Sequence, residues 1–381
     1  MNGKTGRDEQ NLPTVCWIGD FDESRADLGL PKLHGLHTTI LYRAEPRTGT
    51  YSHHPYIAHH RGTLYATWSN HARDEDAPGQ RVLFSLSTDN GRNWRPFAEL
   101  FPPRDRRKAR AEQDDSRDRI LIPNGFAPVD GTLYAVAETH VLKDRRGLGR
   151  LARSVSPDGP PGPIFWIVED PPPPKPGFRS YPNAGSPEFA RIAETINARL
   201  AEPEHLPTWE FLHQSSRPKA ADGHQLCEPT QCWELDDGTL VRLYRDLETS
   251  SGCQYAQFSF DGGRSWNNPR PTGFPDAYSR AAAGMLPDGT AYVINNPGQS
   301  RDALVISLAR NGLNFDRHGV IACNAPPVRY EGIYKGAGFQ YPRATILDDE
   351  MHVAYSVGKE GIRVTTIPLE ALEAITPEGK D

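Results

Sequence analysis

The sequence has few of the residues that build disulfide frameworks, zinc knuckles or membrane spans. Its 381 residues include five cysteines, which are widely scattered and form no Cys-x-x-Cys pair, so neither a disulfide scaffold nor a zinc knuckle is indicated. No apolar run approaches the roughly 20 residues that cross a bilayer. Residues 1–10 are polar and lack the apolar centre of a secretion signal, and we therefore expect a cytoplasmic location.

Signals for nucleotide or nucleic-acid binding are also missing. The sequence contains no phosphate-binding Gly-x-x-x-x-Gly-Lys loop, no His-Glu-x-x-His and no EF-hand loop. A net charge of −6 provides no basic field for nucleic acid or an anionic membrane. The basic run at residues 104–110 is soon followed by acidic residues, which is typical of a solvated loop. We predict no nucleic-acid or membrane partner and no required cofactor; a structural calcium ion bound by loop oxygens is compatible with the sequence.

Turn-forming residues are abundant and separate short apolar runs. The chain has 35 Pro and 34 Gly but only three Met, which argues for many short strands. One sequence motif recurs, a turn followed by an alternating or wholly apolar strand, and we call this motif the repeated phrase. Its copies begin at Gly62, Gly131, Asp237, Asp288 and, in degenerate form, Asp348. Such repetition is typical of the blades of a propeller.

The spacing of these copies predicts the size of the repeat. The glycines of successive copies of this motif are 69, 107 and 51 residues apart. The longest interval contains a proline run at 171–174 and a helix pattern around 186–200. Removing that insertion, or counting another blade inside it, leaves a period of roughly 50 residues, as in four-stranded blades. We predict a single all-β domain over residues 1–381, a six- or seven-bladed β-propeller with seven favoured. Its insertion, at about 170–220, contains the small helix.

Two segments follow the pattern Ser-x-Asp-x-Gly-x-x-Trp, at residues 87–94 and 259–266. In such a turn the Ser and Asp side chains satisfy turn amides, Gly supplies a positive φ, and Trp packs beneath the loop. Residues 309–315 look like a third, degenerate copy. We expect these segments to be structural turns at the blade periphery, without a catalytic role.

Together, these turns and the repeated phrases resemble the sialidase superfamily of Asp-box, or BNR-repeat, propellers. The resemblance extends from about residue 37 to 369 and implies an active site on the central axis. Sialidases carry an Arg-Ile-Pro motif on an early inner strand, and its arginine is one of three that grip the sugar carboxylate. The corresponding segment here, residues 51–57, has His53 two positions before the proline. The arginine is thus replaced by a histidine.

Another branch of the superfamily is more similar in this respect. The His-His-Pro strand, the next strand with its tryptophan, and the tip at residues 69–71 resemble the propeller polysaccharide lyases. These include ulvan lyases and rhamnose–glucuronate lyases, with related enzymes first grouped as rhamnosidases. The resemblance implies cleavage beside a uronic acid by histidine and tyrosine, with an arginine on the carboxylate.

Elimination beside a uronate requires a base for the C5 proton, an acid for the departing oxygen and a positive group on the carboxylate. Histidine titrates near neutral pH, and arginine binds carboxylates through two hydrogen bonds. We predict that His53 and His71 transfer protons, that Tyr341 assists, and that Arg245 neutralises the carboxylate. Because neighbours on a strand point to opposite faces, His54 is the alternative to His53, and only one of them is expected to face the site.

Further residues are predicted to line the sugar site because they fall near strand ends or loops. They are His54, Asn70, Asn124, His140, His224, Glu228, Arg280, Lys335 and Arg343. Arg343 is a second candidate for the carboxylate clamp. Glu228 is a candidate hydrolase carboxylate, although no second carboxylate occupies a comparable inner-strand position, as a carboxylate-pair glycosidase requires. Lys359 and Glu360 are interpreted as a surface ion pair.

The sequence therefore favours a lyase that cleaves a rhamnosyl-glucuronate type of bond by β-elimination. The predicted partner is an oligosaccharide that contains a uronic acid. Two alternatives stay open: a glycoside hydrolase of the sialidase superfamily, rhamnosidase- or sialidase-like, and a non-catalytic propeller that binds glycans. The sequence predicts neither the oligomeric state nor the identity of any bound metal.

Overall fold

The computed structural model describes residues 12–102, 119–141, 147–169, 186–200 and 218–377. These residues form four four-stranded sheets and one larger sheet, with two short helices. The first sheet contains, in order, β3 (Tyr51–His60), β4 (Thr63–His71), β5 (Arg81–Ser87) and β6 (Ala98–Phe101). The second contains β7 (Arg119–Val129), β8 (Thr132–Val141), β9 (Gly147–Val155) and β10 (Phe165–Glu169).

The third sheet is the larger one. Its first layer is split into β11 (Leu226–Cys227) and β12 (Trp233–Glu234), which both pair with β13 (Leu240–Asp246). Outward from β13 lie β14 (Cys253–Ser259) and β15 (Arg270–Pro275). The short strands β1 (Cys16–Trp17) and β19 (Asn314–Phe315) extend it by parallel pairing.

The fourth and fifth sheets complete the described fold. The fourth contains β16 (Ala282–Met285), β17 (Ala291–Asn295), β18 (Leu304–Ala309) and β20 (Arg317–Ala322). The fifth contains β21 (Phe339–Leu347), β22 (Glu350–Val357) and β23 (Gly361–Pro368), and its outer strand is β2 (His37–Arg43). A strand from early in the chain thus completes a sheet that is otherwise built from its last residues.

The first strands of neighbouring sheets face one another. β21 contacts β3, β3 contacts β7, β12 contacts β16, and β16 contacts β21. The sheets are therefore arranged radially with their first strands innermost, as in a β-propeller. Five sheets lie within the described residues, so neither the six nor the seven blades predicted from chain length are confirmed.

The repeated phrase marks the same position in every sheet. Its five copies coincide with β4, β8, β13, β17 and β22, the second strand of each sheet. The helix pattern is confirmed as α1 (Ala190–Leu200), which packs on β7 and β10, and α2 (Leu369–Glu373) follows β23. The proline run at 171–174 and the basic run at 104–110 lie outside the described residues. No described helix is long and apolar enough to cross a membrane.

Both Ser-x-Asp-x-Gly-x-x-Trp segments form the predicted turns. Ser87 Oγ donates to Asp89 Oδ1 at 2.8 Å and accepts from the Gly91 amide at 2.9 Å. Ser259 and Asp261 repeat this arrangement, with 2.9 Å between Oγ and Oδ1. In the degenerate copy, Asn311 Oδ1 accepts from two following backbone amides instead. The turns connect the third and fourth strands of their sheets, away from the inner strands.

Candidate active site

Three residues in or directly after inner strands have a left-handed backbone. His54, Glu228 and Tyr341 have φ values of 53°, 53° and 58°, and each directly precedes a proline. Non-glycine residues seldom adopt a positive φ, and such strain, of order 1–3 kcal/mol per residue, concentrates at functional sites. The strand register shifts at the bulges that contain His54 and Tyr341. The two bulges, together with the break in the strand layer after β11, direct the three side chains to one cluster.

Both histidines of the His-His-Pro strand belong to this cluster. The His53 and His54 rings lie 4.4 Å apart, and they lie 4.2 Å and 5.5 Å from the Tyr341 ring. The expectation that only one would face the site is wrong, because the positive φ at His54 breaks the alternation of the strand. Both side chains are buried.

Arg245 links the tyrosine to a glutamate. Arg245 Nη1 donates to Tyr341 Oη at 2.8 Å and to Glu228 Oε2 at 2.9 Å. The other carboxylate oxygen of Glu228 accepts from Arg280 Nη2 at 3.0 Å. The Arg280 guanidinium also lies 4.8 Å from the centre of the Tyr341 ring. Four residues predicted from the sequence therefore form one hydrogen-bonded network.

The charges of this network are set by burial and by the two arginines. Burial raises the pKa of Glu228, but the charges of Arg280 and Arg245 outweigh that effect and hold it well below its usual range. Burial raises the pKa of the Tyr341 phenol well above its ordinary value, against the lowering effect of Arg245. At neutral pH the network thus holds an ionised carboxylate beside a protonated phenol.

Glu75, a residue that the sequence did not indicate, completes the cluster. Its Oε1 lies 3.1 Å from His54 Nε2, and its Oε2 is paired with the Lys359 ammonium. Burial raises the pKa of Glu75, but the hydrogen bond to His54 and the charge of Lys359 bring it down to about 2. Glu75 lies in the loop between β4 and β5 within an acidic run at 74–76, which is a weak signal because such runs are usually solvated.

The interpretation of Lys359 and Glu360 as a surface ion pair is wrong, both in their exposure and in their partners. Both side chains are buried, and each has another partner: Lys359 binds Glu75, whereas Glu360 binds Lys335 at 3.3 Å. A turn after β22 brings them inward, with a φ of 55° at Lys359. Lys335, predicted to bind substrate, also donates to the Thr50 carbonyl at 2.8 Å.

His71 and Asn70 lie at the end of β4, apart from the cluster contacts described above. His71 Nδ1 accepts hydrogen bonds from the amides of Arg73 and Asp74 at 3.2 and 3.3 Å. Asn70 donates to the Tyr51 carbonyl at 2.9 Å and accepts from Arg81 at 2.8 Å. These bonds fix the start of the loop that carries Glu75, and the predicted proton transfer by His71 stays a prediction.

The remaining predicted residues occupy other positions. Asn124 donates to Glu138 at 3.1 Å, and with Arg343 it lines a cavity of about 250 Å³. His224 is paired with Asp246 at 3.0 Å, which raises the pKa of the imidazole. His140 lies in β8, and its side chain is outside the described part. Their roles in substrate binding stay predictions.

Several solved structures that superpose on this chain are named as sialidases. A protein titled "Sialidase" superposes with a TM-score of 0.78 at 24% identity, and the match covers 93% of this chain and 35% of that one. The Hadza microbial sialidase Hz136 gives 0.56 at 13% identity, with 88% and 69% covered. The Trypanosoma rangeli sialidase complex with 2,3-difluorosialic acid, a covalent intermediate, gives 0.53 at 11%, with 90% and 60% covered.

The chain has the sialidase-type β-propeller fold. Residues 197–353 match the family described as the BNR repeat-like domain, and this segment contains Glu228, Arg245, Arg280 and Tyr341. None of the curated proteins matches the sequence. The chain spans about a third of the length of the first sialidase named above.

Proposed function

We propose that this chain is a glycoside hydrolase that releases a terminal sugar acid, with Tyr341 as the nucleophile. The observation that carries the proposal is the Arg245 bridge, which joins the Tyr341 hydroxyl to the ionised Glu228 inside a buried cluster. Sialidases are the glycosidases that use a tyrosine nucleophile in place of a carboxylate. The structurally similar proteins named above are sialidases, which supports this assignment.

The chemistry follows from the three side chains. Glu228 contacts the Tyr341 hydroxyl only through Arg245 in this structure, so the Arg245 bridge must open for Glu228 to accept the phenolic proton. Tyr341 Oη then attacks the anomeric carbon, and Arg245 stabilises the negative charge that develops on the phenolic oxygen. The glycosidic C–O bond breaks, and the leaving oxygen departs with the bonding electrons. Water then attacks the glycosyl–tyrosine linkage, an aryl glycoside, at the same carbon. The C–O bond to Tyr341 breaks, Glu228 returns the proton to the phenolic oxygen, and the proton lost by water goes through solvent to the departed oxygen. Two displacements retain the anomeric configuration.

The charge of the cluster supports an acidic sugar as substrate. Arg245 and Arg280 are both paired with Glu228, and Lys359 is paired with Glu75, so three cationic side chains share two carboxylates in these ion pairs. Arg301 adds a further positive charge near His53 and Tyr341. The buried Nε of Arg245 has no hydrogen-bond partner among the described residues, and a substrate carboxylate is the kind of acceptor that it binds best. Sialic and uronic acids share this chemistry.

The test uses 4-methylumbelliferyl glycosides of sialic acid and of glucuronic acid, whose phenolic leaving group needs no protonation by the enzyme. Tyr341→Phe should lower kcat on the accepted glycoside by about 10³-fold or more. A 2,3-difluoro analogue of that sugar should add its mass to the peptide that contains Tyr341, and the adduct should be absent from the variant. Tyr355→Phe is the matched control, because it removes a buried hydroxyl that contacts Thr365 at 2.8 Å outside the cluster.

Three outcomes separate the alternatives. A rhamnosyl-glucuronate oligosaccharide cleaved with unsaturated-uronate absorbance, and without a Tyr341 adduct, would establish the lyase that the sequence favoured. Binding of acidic oligosaccharides without turnover would establish a glycan-binding protein. Full activity of Tyr341→Phe would remove tyrosine from the nucleophile role.

A further inference from the structure

We infer that His53, His54 and Glu75 form a binding site for a divalent cation of the zinc type. One nitrogen of each histidine and one carboxylate oxygen of Glu75 lie within 4.8 Å of one another. His54 Nε2 and Glu75 Oε1 are already 3.1 Å apart. Two ligands of a tetrahedral zinc, bound at 2.0–2.2 Å, lie about 3.3 Å apart. Ligand atoms that lie up to 4.8 Å apart must therefore approach one another by at most about 1.5 Å to surround an ion.

The hydrogen bonds of two serines determine which histidine nitrogens are available. Ser69 Oγ donates to the His53 carbonyl at 2.9 Å, so it must accept from His54 Nδ1–H, also at 2.9 Å. Ser356 Oγ donates to the Gln340 carbonyl at 3.3 Å and accepts from His53 Nδ1–H at 2.6 Å. A neutral imidazole with its proton on Nδ1 keeps a lone pair on Nε2. At His54, whose Nε2 lies 3.1 Å from Glu75 Oε1, an ion would take the place of the proton that this contact otherwise needs. Metal-ligating histidines are oriented in the same way by a partner on their other nitrogen.

Among the residues that the structure describes, the available lone pairs lack suitable partners. His53 Nε2 is buried and has no hydrogen-bond partner among the described residues, whereas His54 Nε2 faces a carboxylate oxygen that is also an acceptor. A proton on His54 would satisfy the contact with Glu75 but not His53. A cation satisfies all three groups. Buried acceptors without partners are costly, which favours the arrangement that pairs all of them.

The donor set selects the type of ion. Two imidazole nitrogens and one carboxylate oxygen suit zinc, cobalt, nickel or copper, whereas calcium and magnesium prefer oxygen ligands throughout. Glu75 would bind through Oε1, and its Oε2 is held by Lys359. Three protein ligands leave a coordination position open, as in catalytic zinc sites.

If the proposed function holds, the open coordination position gives the ion a role in binding the substrate. Because the His53 ring lies 4.2 Å from the Tyr341 ring, the ion is adjacent to the residue proposed to attack the sugar. A positive ion here is suited to bind the carboxylate of a sugar acid. It would supply the charge of the arginine that residues 51–57 lack. Binding of the ion itself does not depend on this role.

The experiment measures metal binding by the full chain, first stripped of metal with a chelator and then titrated with Zn²⁺ in a calorimeter. We expect one equivalent to bind, and Co²⁺ at the same site should show the intense visible absorption of a four-coordinate complex. His53→Gln and Glu75→Gln should each weaken Zn²⁺ binding by about tenfold or more. His224→Gln is the control, because that histidine is paired with Asp246 elsewhere.

Circular dichroism establishes that each variant is folded before titration. The inference fails if Zn²⁺ binds the natural chain no more tightly than a folded His53→Gln variant, or if His224→Gln weakens binding equally. Zinc binding without a sugar adduct on Tyr341 would keep the metal site and reject the proposed nucleophile. An adduct formed by a chain that binds no Zn²⁺ would do the reverse.

Discussion

The side chains at the centre of this propeller owe their positions to single backbone torsions. His54 and Tyr341 face the same cluster because a positive φ at each interrupts its strand. Proline follows each of them and restricts the backbone further. Strain of this kind persists only where surrounding structure holds it, and here Ser69 and Arg245 do so through direct hydrogen bonds to His54 and Tyr341.

A buried aspartate outside the cluster yields a prediction about pH. Asp276 follows β15, and burial raises its pKa to about 7. The folded chain therefore binds this proton more tightly than the unfolded chain, so the stabilisation is complete below about pH 4 and is lost as the pH rises through 7. The shift from the ordinary value of 3.8 corresponds to ~4 kcal/mol between those limits.

Asp276→Asn removes the ionisable group and keeps the shape. We expect its Tm to exceed that of the natural chain by more at pH 8 than at pH 4, as measured by thermal unfolding followed by circular dichroism. The exposed Asp349→Asn serves as the control, with a pH profile parallel to that of the natural chain. A constant difference between Asp276→Asn and the natural chain would show that the buried carboxyl does not titrate in this range.

The strands were more predictable than the loops between them. The five phrases have turn residues and apolar strands that act locally, and each became the second strand of a sheet. The number of blades was predicted from chain length and from the spacing of the repeated phrases. The longest of these intervals does not give the length of one blade, because it also contains α1 and other residues.

Tyr341, Arg245 and Glu228 were recognised by residue type near strand ends. Glu75 was missed, because only the tertiary fold brings the loop after β4 against His54 and Lys359.

The Asp-box turns should contribute to stability and not to catalysis. Asp261 accepts hydrogen bonds from the amide and the hydroxyl of Ser265, at 2.8 and 2.6 Å. These bonds are the first cause of its lowered pKa, about 2. Asp261→Ala leaves those donors to solvent, and we expect Tm to fall by a few degrees. Glycoside turnover at a temperature well below Tm should stay unchanged; a large loss of kcat in the folded variant would contradict a purely structural role.

The segment from residue 12 to 43 connects three of the five sheets. β1 pairs with β15 of the third sheet and with β19, Lys32 pairs with Val320 of the fourth sheet, and β2 completes the fifth. A radial arrangement has no single core, since each apolar layer lies between neighbouring sheets. Pairings that cross several layers therefore make unfolding of the sheets cooperative.

Trp17 is a buried side chain of this segment in the apolar layer that the third and fourth sheets share. Its ring stacks on His318 at 3.6 Å and meets Phe274 edge-on at 5.6 Å. Trp17→Ala should cost about 3–5 kcal/mol, the usual range for removing a buried aromatic side chain. Urea unfolding should show a lower midpoint and, because the sheets lose a shared contact, a broader transition.

Trp266→Ala is the matched control for Trp17→Ala. Trp266 closes an Asp-box turn and packs on Arg242 at 3.8 Å from its ring centre, so its loss affects one sheet. We expect a smaller shift of the urea midpoint and an unchanged slope. Equal losses in the two variants would mean that tryptophan burial alone sets the cost. A larger loss and a broader transition for Trp17→Ala would identify the early segment as the element that couples the sheets.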